Sequence, residues 1–281
     1  MKIFAFVVAI NFSLLSANEY WQQFVTYKMN VQLDTTKHTV GGHSTITYKN
    51  NSPDTLYHFY LNLYANAFQE GTVKHREYLA GLGRTSRGNR FKKGMDPYLS
   101  KYDISNFIIK STGSTLSDTF FIDDTILSAK LSKGLAPGAS MVIDLDWTHH
   151  VGQFAERAGR VGKQYNFAQW YPRVVVYDEN GWFDEPFHAE GEFYGEFGTY
   201  DVTMDVPKGY IIGSTGIVTS GDPGWEEVRV DTSKNFNQWL KDFRKNRTNY
   251  DENERRVVTF YAEEVHDFAW VTTPNFLYES G

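Results

Sequence analysis

The sequence predicts a mostly β protein, built chiefly from antiparallel strands and carrying one inserted amphipathic helix. In several segments apolar and polar residues alternate with a period of two, the pattern of a strand with one buried face. Aromatic side chains are abundant, with 21 Phe, 18 Tyr and 7 Trp among 281 residues, and aromatic residues favour strands. Each buried ring removes roughly 150–250 Å² from water, so we expect a sizeable core.

The first three strands are expected to form an antiparallel meander. Apolar residues at every second position should point inwards together: Val25, Tyr27, Met29, Val31 and Leu33. A glycine pair at 41–42 is expected to interrupt the second strand, which resumes at Ile46. Residues 50–54 have the composition of a turn. Residues 57–63 alternate again, with the odd-numbered positions apolar, and complete the meander.

Residues 70–101 lack this periodicity. They contain eight Lys or Arg residues, three acidic residues and five glycines. We predict a long, solvated surface loop, because charge runs usually lie in water. A loop that binds a polyanion is the alternative, although no aromatic ladder accompanies the charges.

More strands are expected in the rest of the chain. Five segments have strand composition or alternation: 120–122, 126–131, 141–147, 200–206 and 257–262. Asp144 and Asp146 fall on the water-facing side of their strand. Residues 257–262 are expected to be the final strand.

One segment has helical spacing. Phe236, Trp239, Leu240 and Phe243 fall at i, i+3, i+4 and i+7 among basic residues, which is the apolar stripe of an amphipathic helix. We predict a helix over residues 233–246 with this stripe docked on the core. Contact with a membrane or a partner is the alternative.

Charge, cysteine content and the N-terminus limit the possible functions. The net charge is −6 and the chain has no cysteine. The negative charge argues against nucleic acid as a partner, and disulfides and thiolate chemistry are excluded. Residues 1–17 have a positive start, an apolar run and an alanine at the end, so they are expected to be a secretory signal and the protein to be exported. No later segment is apolar enough for a stable membrane span.

Local motifs for catalysis are sparse. No two histidines lie four residues apart, so the chain has no H-E-x-x-H face for zinc, and it has no phosphate-binding glycine loop. Carboxylates are dense over residues 178–192. A pair of them could hydrolyse a glycoside, and His188 with Glu190 could supply two metal ligands. A solvated acidic face is the alternative that the residues favour.

The most distinctive segment is the QWYPR sequence at residues 169–173. Six other segments accompany it in order: 20–23, 61–68, 181–182, 190–202, 213–216 and 262–270. Together they resemble the N-terminal domain of the M1-family zinc aminopeptidases, which are gluzincin metallopeptidases. The resemblance implies a large, curved, antiparallel β-sandwich or saddle over residues 18–272. It also implies that residues 273–281 begin the connection to a catalytic domain.

The resemblance further implies zinc as the cofactor of the full-length parent. In that family the H-E-x-x-H motif and a distant Glu lie in the catalytic domain that follows. Zinc lowers the pKa of its bound water to about 7 and polarises the scissile carbonyl. This chain ends before any such motif, so we expect that it binds no zinc and is inactive alone, with no catalytic or metal residue of its own.

Two substrate-binding residues follow from the same resemblance. Gln169 matches a glutamine that shapes the pocket for the first residue of the substrate. Tyr171 stands where many members hold the free α-amine of the peptide. The expected partners are therefore the catalytic domain and the N-terminus of a peptide. A non-catalytic secreted β-sandwich that binds carbohydrate or protein is the alternative, and a stand-alone hydrolase using residues 178–192 is a third hypothesis.

Overall fold

The computed structural model describes residues 20–82, 99–153, 157–246 and 253–279. The strands are β1 (Phe24–Asp34), β2 (Thr39–Lys49), β3 (Leu56–Asn62), β4 (Lys101–Ser111), β5 (Ser114–Ser117), β6 (Phe121–Asp123), β7 (Ile126–Leu135), β8 (Ser140–His150), β9 (Ala158–Val161), β10 (Gln164–Phe167), β11 (Arg173–Val174), β12 (Tyr177–Asp178), β13 (Gly181–Trp182), β14 (Gly198–Pro207), β15 (Ile211–Ser214), β16 (Ile217–Ser220), β17 (Arg255–Val265) and β18 (Trp270–Thr273). The helices are α1 (Val73–Leu79), α2 (Phe236–Asn246) and two short 3-10 helices, Tyr64–Phe68 and Glu226–Val228. Strands dominate, so the predicted mostly β fold class is confirmed.

Eight strands form the largest sheet, in the order β16-β17-β14-β1-β2-β8-β4-β5. Two four-stranded sheets have the orders β15-β18-β10-β9 and β11-β3-β7-β6, and β12 pairs with β13. Rings from different layers meet in one hydrophobic cluster. The ring centroids of Tyr48 in β2 and Phe59 in β3 lie 5.7 Å apart, and those of Trp147 in β8 and Trp170 lie 5.6 Å apart. The large sheet therefore packs one face against the smaller sheets, as in a β-sandwich.

Strand β1 lies inside the large sheet. Its alternate residues are all buried, which confirms the predicted inward face: Val25, Tyr27, Met29, Val31 and Leu33. It pairs with β2 in the antiparallel sense and with β14 in the parallel sense. A parallel pair needs a long connection instead of a hairpin, and more than half of the chain, residues 35–197, separates these two strands. The other strand pairs within the described residues are antiparallel.

Strand β2 continues through the glycine pair, so the predicted interruption is wrong. A Cβ at Gly42 would lie 1.9 Å from the carbonyl oxygen of Asn30. A Cβ at Gly41 would lie 2.5 Å from the carbonyl oxygen of Trp147. The neighbouring strands approach too closely here for any side chain, so the glycines permit the pairing where the sequence suggested a break.

The third strand, β3, lies in a different sheet from β1 and β2, so the predicted meander is wrong. The alternation predicted for this strand also holds only in part. Phe59 and Leu61 are buried, but Tyr57 is 59% exposed. The pairing of β3 with β7 shifts register between Leu56 and His58. A bulge at this point re-aims one side chain, so the strict alternation fails at the start of the strand.

The segment predicted as a surface loop, 70–101, contains a helix. α1 begins after Thr72, whose hydroxyl accepts a hydrogen bond from the His75 N–H, and a threonine N-cap of this kind stabilises a helix start. Tyr78 of α1 is buried, and the last residue of the segment belongs to β4. Residues 83–98, which carry much of the charge that suggested polyanion binding, lie outside the described residues.

Strands were missed where alternation is broken. The pairing of β4 with β8 shifts register between Ser105 and Ile108, and Asn106 adopts a φ of +49°. Because of this shift, the polar residues of β4 do not fall at every second position along the strand. At the other end of the chain, β18 follows β17, so the expectation that 257–262 is the final strand is wrong.

The predicted helix over 233–246 is present as α2, but its predicted docking on the core is wrong. Phe236 is 49% exposed. Trp239, Leu240 and Phe243 are partly exposed, and none of the four joins the hydrophobic cluster or packs against it. Helical spacing identifies an apolar face, but it does not specify what covers that face.

The N-terminal segment and membrane spanning can be addressed only in part. Residues 1–17, predicted to be the secretory signal, lie outside the described residues. Within the ranges that the structure describes, no helix has both the length and the apolar character that crossing a bilayer requires.

Candidate functional site

A pocket opens where several segments distant in the sequence meet, and it encloses about 180 Å³. The 3-10 helix Tyr64–Phe68 and α1 form one side. The residues just before β11 and the stretch leading into β14 form the others. Its walls include Tyr64, Phe68, Lys74, Gln169, Phe187 and Phe193.

Gln169 is one of the wall residues, and Asp267 fixes its conformation. Its φ is +50°, in the left-handed region that residues other than glycine rarely occupy. Its backbone N–H and its side-chain Nε2 both donate to Asp267 Oδ2, at 3.1 and 3.0 Å. Its Oε1 is buried without a hydrogen-bond partner among the described residues. Backbone strain held in place by specific contacts is frequent at functional sites.

Tyr171, predicted to hold the substrate amine, is completely buried. Its hydroxyl donates to Asp267 Oδ1 at 2.9 Å and also lies 2.9 Å from the Tyr200 hydroxyl. Burial raises the pKa of Tyr171 well above the ordinary tyrosine value, so the hydroxyl keeps its proton at neutral pH. The structure places Tyr171 behind the pocket wall, joined to Gln169 through the Asp267 carboxylate.

Arg173 ties together three segments that are far apart in the sequence. Its side chain is buried, and its guanidinium donates to the backbone carbonyl oxygens of Glu196, at 3.2 Å, and His266. A Cβ at Gly195 would lie 2.1 Å from a guanidinium nitrogen, so only glycine lets the chain pass this close. The buried cation therefore holds the segment that contains Asp267 against the one that contains Gln169.

Aromatic rings line one side of the pocket. Phe187 and Phe193 stack with ring centroids 5.0 Å apart, and Tyr64 meets them edge-on at 5.7 and 4.9 Å. Lys74 is buried, and its Nζ lies 3.8 Å from the ring centroid of Phe68 and 4.6 Å from that of Phe187. A cation over a ring face is attracted by the ring quadrupole. The pocket can therefore hold an apolar or flat group beside a fixed positive charge.

The carboxylates of residues 178–192 occupy different surroundings. Glu190 and Glu192 border the pocket. His188, considered as a metal ligand with Glu190, has its Nδ1 2.6 Å from Glu77 Oε1 instead. This contact links the 178–192 stretch to α1 through one ring nitrogen of His188.

The described part of the chain offers no fitting ligand set for zinc, the cofactor that the resemblance implies for the parent. No three His, Cys, Asp or Glu side chains are grouped there as a metal site. Zinc sites in proteins use four protein ligands, or three and a water.

Asp267 is the residue of this site that the sequence did not reveal. It lies 98 residues from Gln169, and nothing in its local pattern distinguishes it from a solvated carboxylate. Lys74 was missed as well, because it belongs to the segment predicted to be a solvated loop. The resemblance over 262–270 was the one available signal for Asp267, and it pointed to the segment without marking the residue.

Comparisons with protein-family models and with curated proteins gave no match. Among solved structures, the chain is similar to an M1 zinc metallopeptidase from Deinococcus radiodurans, with a TM-score of 0.44 and 11% identity over 90% of this chain and 42% of that one. A mutant of that protein gives a TM-score of 0.44 and 12% identity over 89% and 42%. A two-domain M1 zinc metallopeptidase mutant bound to L-tryptophan gives a TM-score of 0.44 and 11% identity over 90% and 43%. The chain spans less than half the length of each of these structures.

Proposed function

We propose that this chain is the N-terminal, substrate-pocket domain of an exported M1-like zinc metallopeptidase with aminopeptidase activity. The main support is that the segments resembling that family converge on one pocket. Three of them contribute wall residues, and a fourth supplies the Asp267 that holds Gln169. The four segments are 61–68, 169–173, 190–202 and 262–270. The segments that resemble the family therefore meet at one site, whereas segments that served only the core would be distributed through it.

In this proposal the pocket receives the side chain of the first residue of a peptide. Gln169 forms part of the wall, and its two hydrogen bonds to Asp267 fix the amide before substrate arrives. A side chain that is already fixed loses little conformational entropy when the substrate binds. A catalytic domain closing over the open side would carry the zinc and exclude water from the scissile bond.

Tyr171 enters the proposal as a positioning residue. Its hydroxyl is engaged by Asp267 and lies beside Tyr200, and a neutral phenol offers an ammonium group only a hydrogen-bond acceptor. Direct contact with the substrate amine would require the completely buried hydroxyl to become accessible. We therefore propose that Tyr171 affects the substrate chiefly through Asp267 and Gln169.

The chain studied alone should show neither stoichiometric zinc binding nor cleavage of aminoacyl reporter substrates. The expected reason is that the described residues offer no grouped ligands, and without zinc there is no activated water. Metal analysis after dialysis and a fluorogenic aminopeptidase assay measure both. Substrate turnover that copurifies with the chain and disappears on chelation would contradict the proposal that zinc and catalysis belong to a separate catalytic domain. A stop codon directly after Gly281, with sugar or protein binding by the chain, would favour the non-catalytic module.

In the full-length protein, Gln169→Ala should change selectivity for the first substrate residue. Loss of one wall contact in a pocket shifts the relative kcat/KM of two substrates by about tenfold. The effect should fall mainly on KM, because the contact exists in both the ground state and the transition state. A panel of aminoacyl substrates with different side chains measures the shift.

Gln164→Ala is the matched control for this change. Gln164 is an exposed glutamine on β10 whose amide donates to Asn166 at 2.9 Å, and it does not line the pocket. The control should leave the substrate ranking unchanged. If Gln169→Ala gives the parent ranking across the panel, the glutamine is a structural amide and its assignment to the pocket fails.

A further inference from the structure

The apolar stripe of α2 is not part of the hydrophobic cluster that the described residues form. The stripe consists of Phe236, Trp239, Leu240 and Phe243. Phe236 is about half exposed, and the other three are partly exposed and stand apart from the hydrophobic cluster. The rings stack along the helix, with centroids 6.1 Å apart for Phe236 and Trp239 and 5.0 Å apart for Trp239 and Phe243. The stripe is thus one continuous apolar surface.

Local contacts support α2 where core packing does not. The carbonyl oxygen of Asn235 accepts the Trp239 N–H at 3.0 Å, and its side-chain Oδ1 accepts the Gln238 N–H at 3.3 Å. Gln238 also donates to Asp242, four residues on, at 3.2 Å. An N-cap and a side-chain pair at i, i+4 each stabilise a helix. The apolar stripe is therefore presented on an ordered helix.

The charge on this helix is opposite to that of the whole protein. Within α2, residues 236–246, three residues are basic, Lys241, Arg244 and Lys245, and one is acidic, Asp242. The net charge of the helix is therefore +2, in a chain whose net charge is −6. With about 3.6 residues per turn, Lys241 and Lys245 fall on the side away from the stripe and Arg244 at its border.

We propose that α2 lies flat on an anionic lipid surface, with the stripe inserted at the headgroup boundary. Trp, Phe and Leu on one face and Lys and Arg on the other are typical of helices that lie in a bilayer interface. The helix charge of +2 complements anionic headgroups. A second copy of the chain fits less well, because it would bring two cationic helices together. The observations behind this proposal are separate from those behind the proposed peptidase function. If both proposals hold, the peptidase would act at a membrane surface.

The test is vesicle cosedimentation of the protein without residues 1–17, whose apolar run would itself bind lipid. Every residue of the hydrophobic cluster lies after residue 19, so this protein retains the core. Vesicles of equal parts phosphatidylglycerol and phosphatidylcholine should bind it, and vesicles of phosphatidylcholine alone should bind it at least tenfold more weakly. Each basic residue near an anionic surface contributes about fivefold, so added salt should weaken the binding.

Two variants separate the apolar and the charged contributions. Trp239→Glu with Phe243→Glu should abolish binding, and Lys241→Glu with Lys245→Glu should weaken it at least tenfold. Ile217→Glu is the control, since Ile217 is an apolar residue that is 67% exposed on β16 and does not belong to the stripe. It should bind as the parent does. Equal melting temperatures for all variants exclude unfolding as the cause.

Several results would overturn the proposal. Absence of binding to the anionic vesicles would do so, as would equal binding by the Trp239 and Phe243 double variant. Equal binding to both lipid compositions would remove the charge-based choice of surface. A concentration-dependent dimer in sedimentation velocity that the same double variant abolishes would show that a second copy covers the stripe.

Discussion

Acidification should destabilise the protein steeply, because His149 is buried in its neutral form. The ring is fully buried, and its centroid lies 5.0 Å from that of Tyr102 and 6.4 Å from that of Phe167. Its Nε2 lies 2.9 Å from the Ser100 hydroxyl oxygen. Burial lowers the pKa of His149 from 6.5 to about 3, because a charged imidazolium is poorly solvated among these rings.

The sign follows from which state binds the proton first. The unfolded chain binds a proton at His149 near pH 6.5, whereas the folded protein binds it only near pH 3. Lowering the pH through this window therefore favours the unfolded state, and stability is fully present only above it. Each pH unit should lower the free energy of unfolding by about 1.4 kcal/mol, so the whole window amounts to about 5 kcal/mol.

Urea unfolding at a series of pH values measures this effect, with His149→Phe as the comparison. The variant fills the site with an apolar ring and cannot titrate. Asp103 and Asp146 also have lowered pKa values, through hydrogen bonds from Lys101 and Asn106. They lose stability in acid in both proteins, so the difference between the two curves isolates His149. Parallel curves for parent and variant would show that His149 does not set the pH dependence.

Trp170→Ala should destabilise the folded protein by about 3–5 kcal/mol, the usual range for removing a buried large aromatic. Trp170 is completely buried. Its ring centroid lies 5.6 Å from those of Trp147 and Trp270, and its Nε1–H donates to the Phe268 carbonyl oxygen at 2.8 Å. Alanine would leave a cavity between the two layers and a carbonyl without its donor. Chemical denaturation gives the change in the free energy of unfolding.

Phe121→Ala provides the control for loss of an aromatic ring. Phe121 is 68% exposed on β6, and surface substitutions usually change stability by less than about 0.5 kcal/mol. If Trp170→Ala lowers the free energy of unfolding no more than Phe121→Ala does, this ring does not hold the two layers together. We expect the loss of stability in Trp170→Ala to be several times larger.

The fold could be predicted wherever a strand keeps strict alternation and one clear buried face. That describes β1, β8 and β14, whose positions and inward faces follow from the residues alone. It fails for β4, where a register shift breaks the period. Prediction from alternation also fails for β2, for a different reason. The glycines at 41–42 suggest a break in the strand, but in the structure they allow the neighbouring strands to approach unusually closely. These features depend on partner strands, which local sequence does not contain.

The candidate site was predictable only through resemblance, and only in part. Gln169 was found because its segment is distinctive. Asp267 was not, because its role arises from a contact across 98 residues. Tyr171 was assigned to the position that holds the substrate amine, and its burial in the fold could not be foreseen from the sequence. The helical spacing of α2 was correct, but its surroundings depend on tertiary packing that spacing does not encode.

The position of β1 between β2 and β14 has a consequence for the order of events during synthesis. Strand β1 is made first, but one of its two neighbours begins only at Gly198. Until then the growing chain exposes an edge of apolar residues with unpaired backbone groups, the kind of surface that aggregates or recruits chaperones. Pairings this distant in the chain also slow folding. A sheet that closes so late leaves the nascent chain open for most of its synthesis.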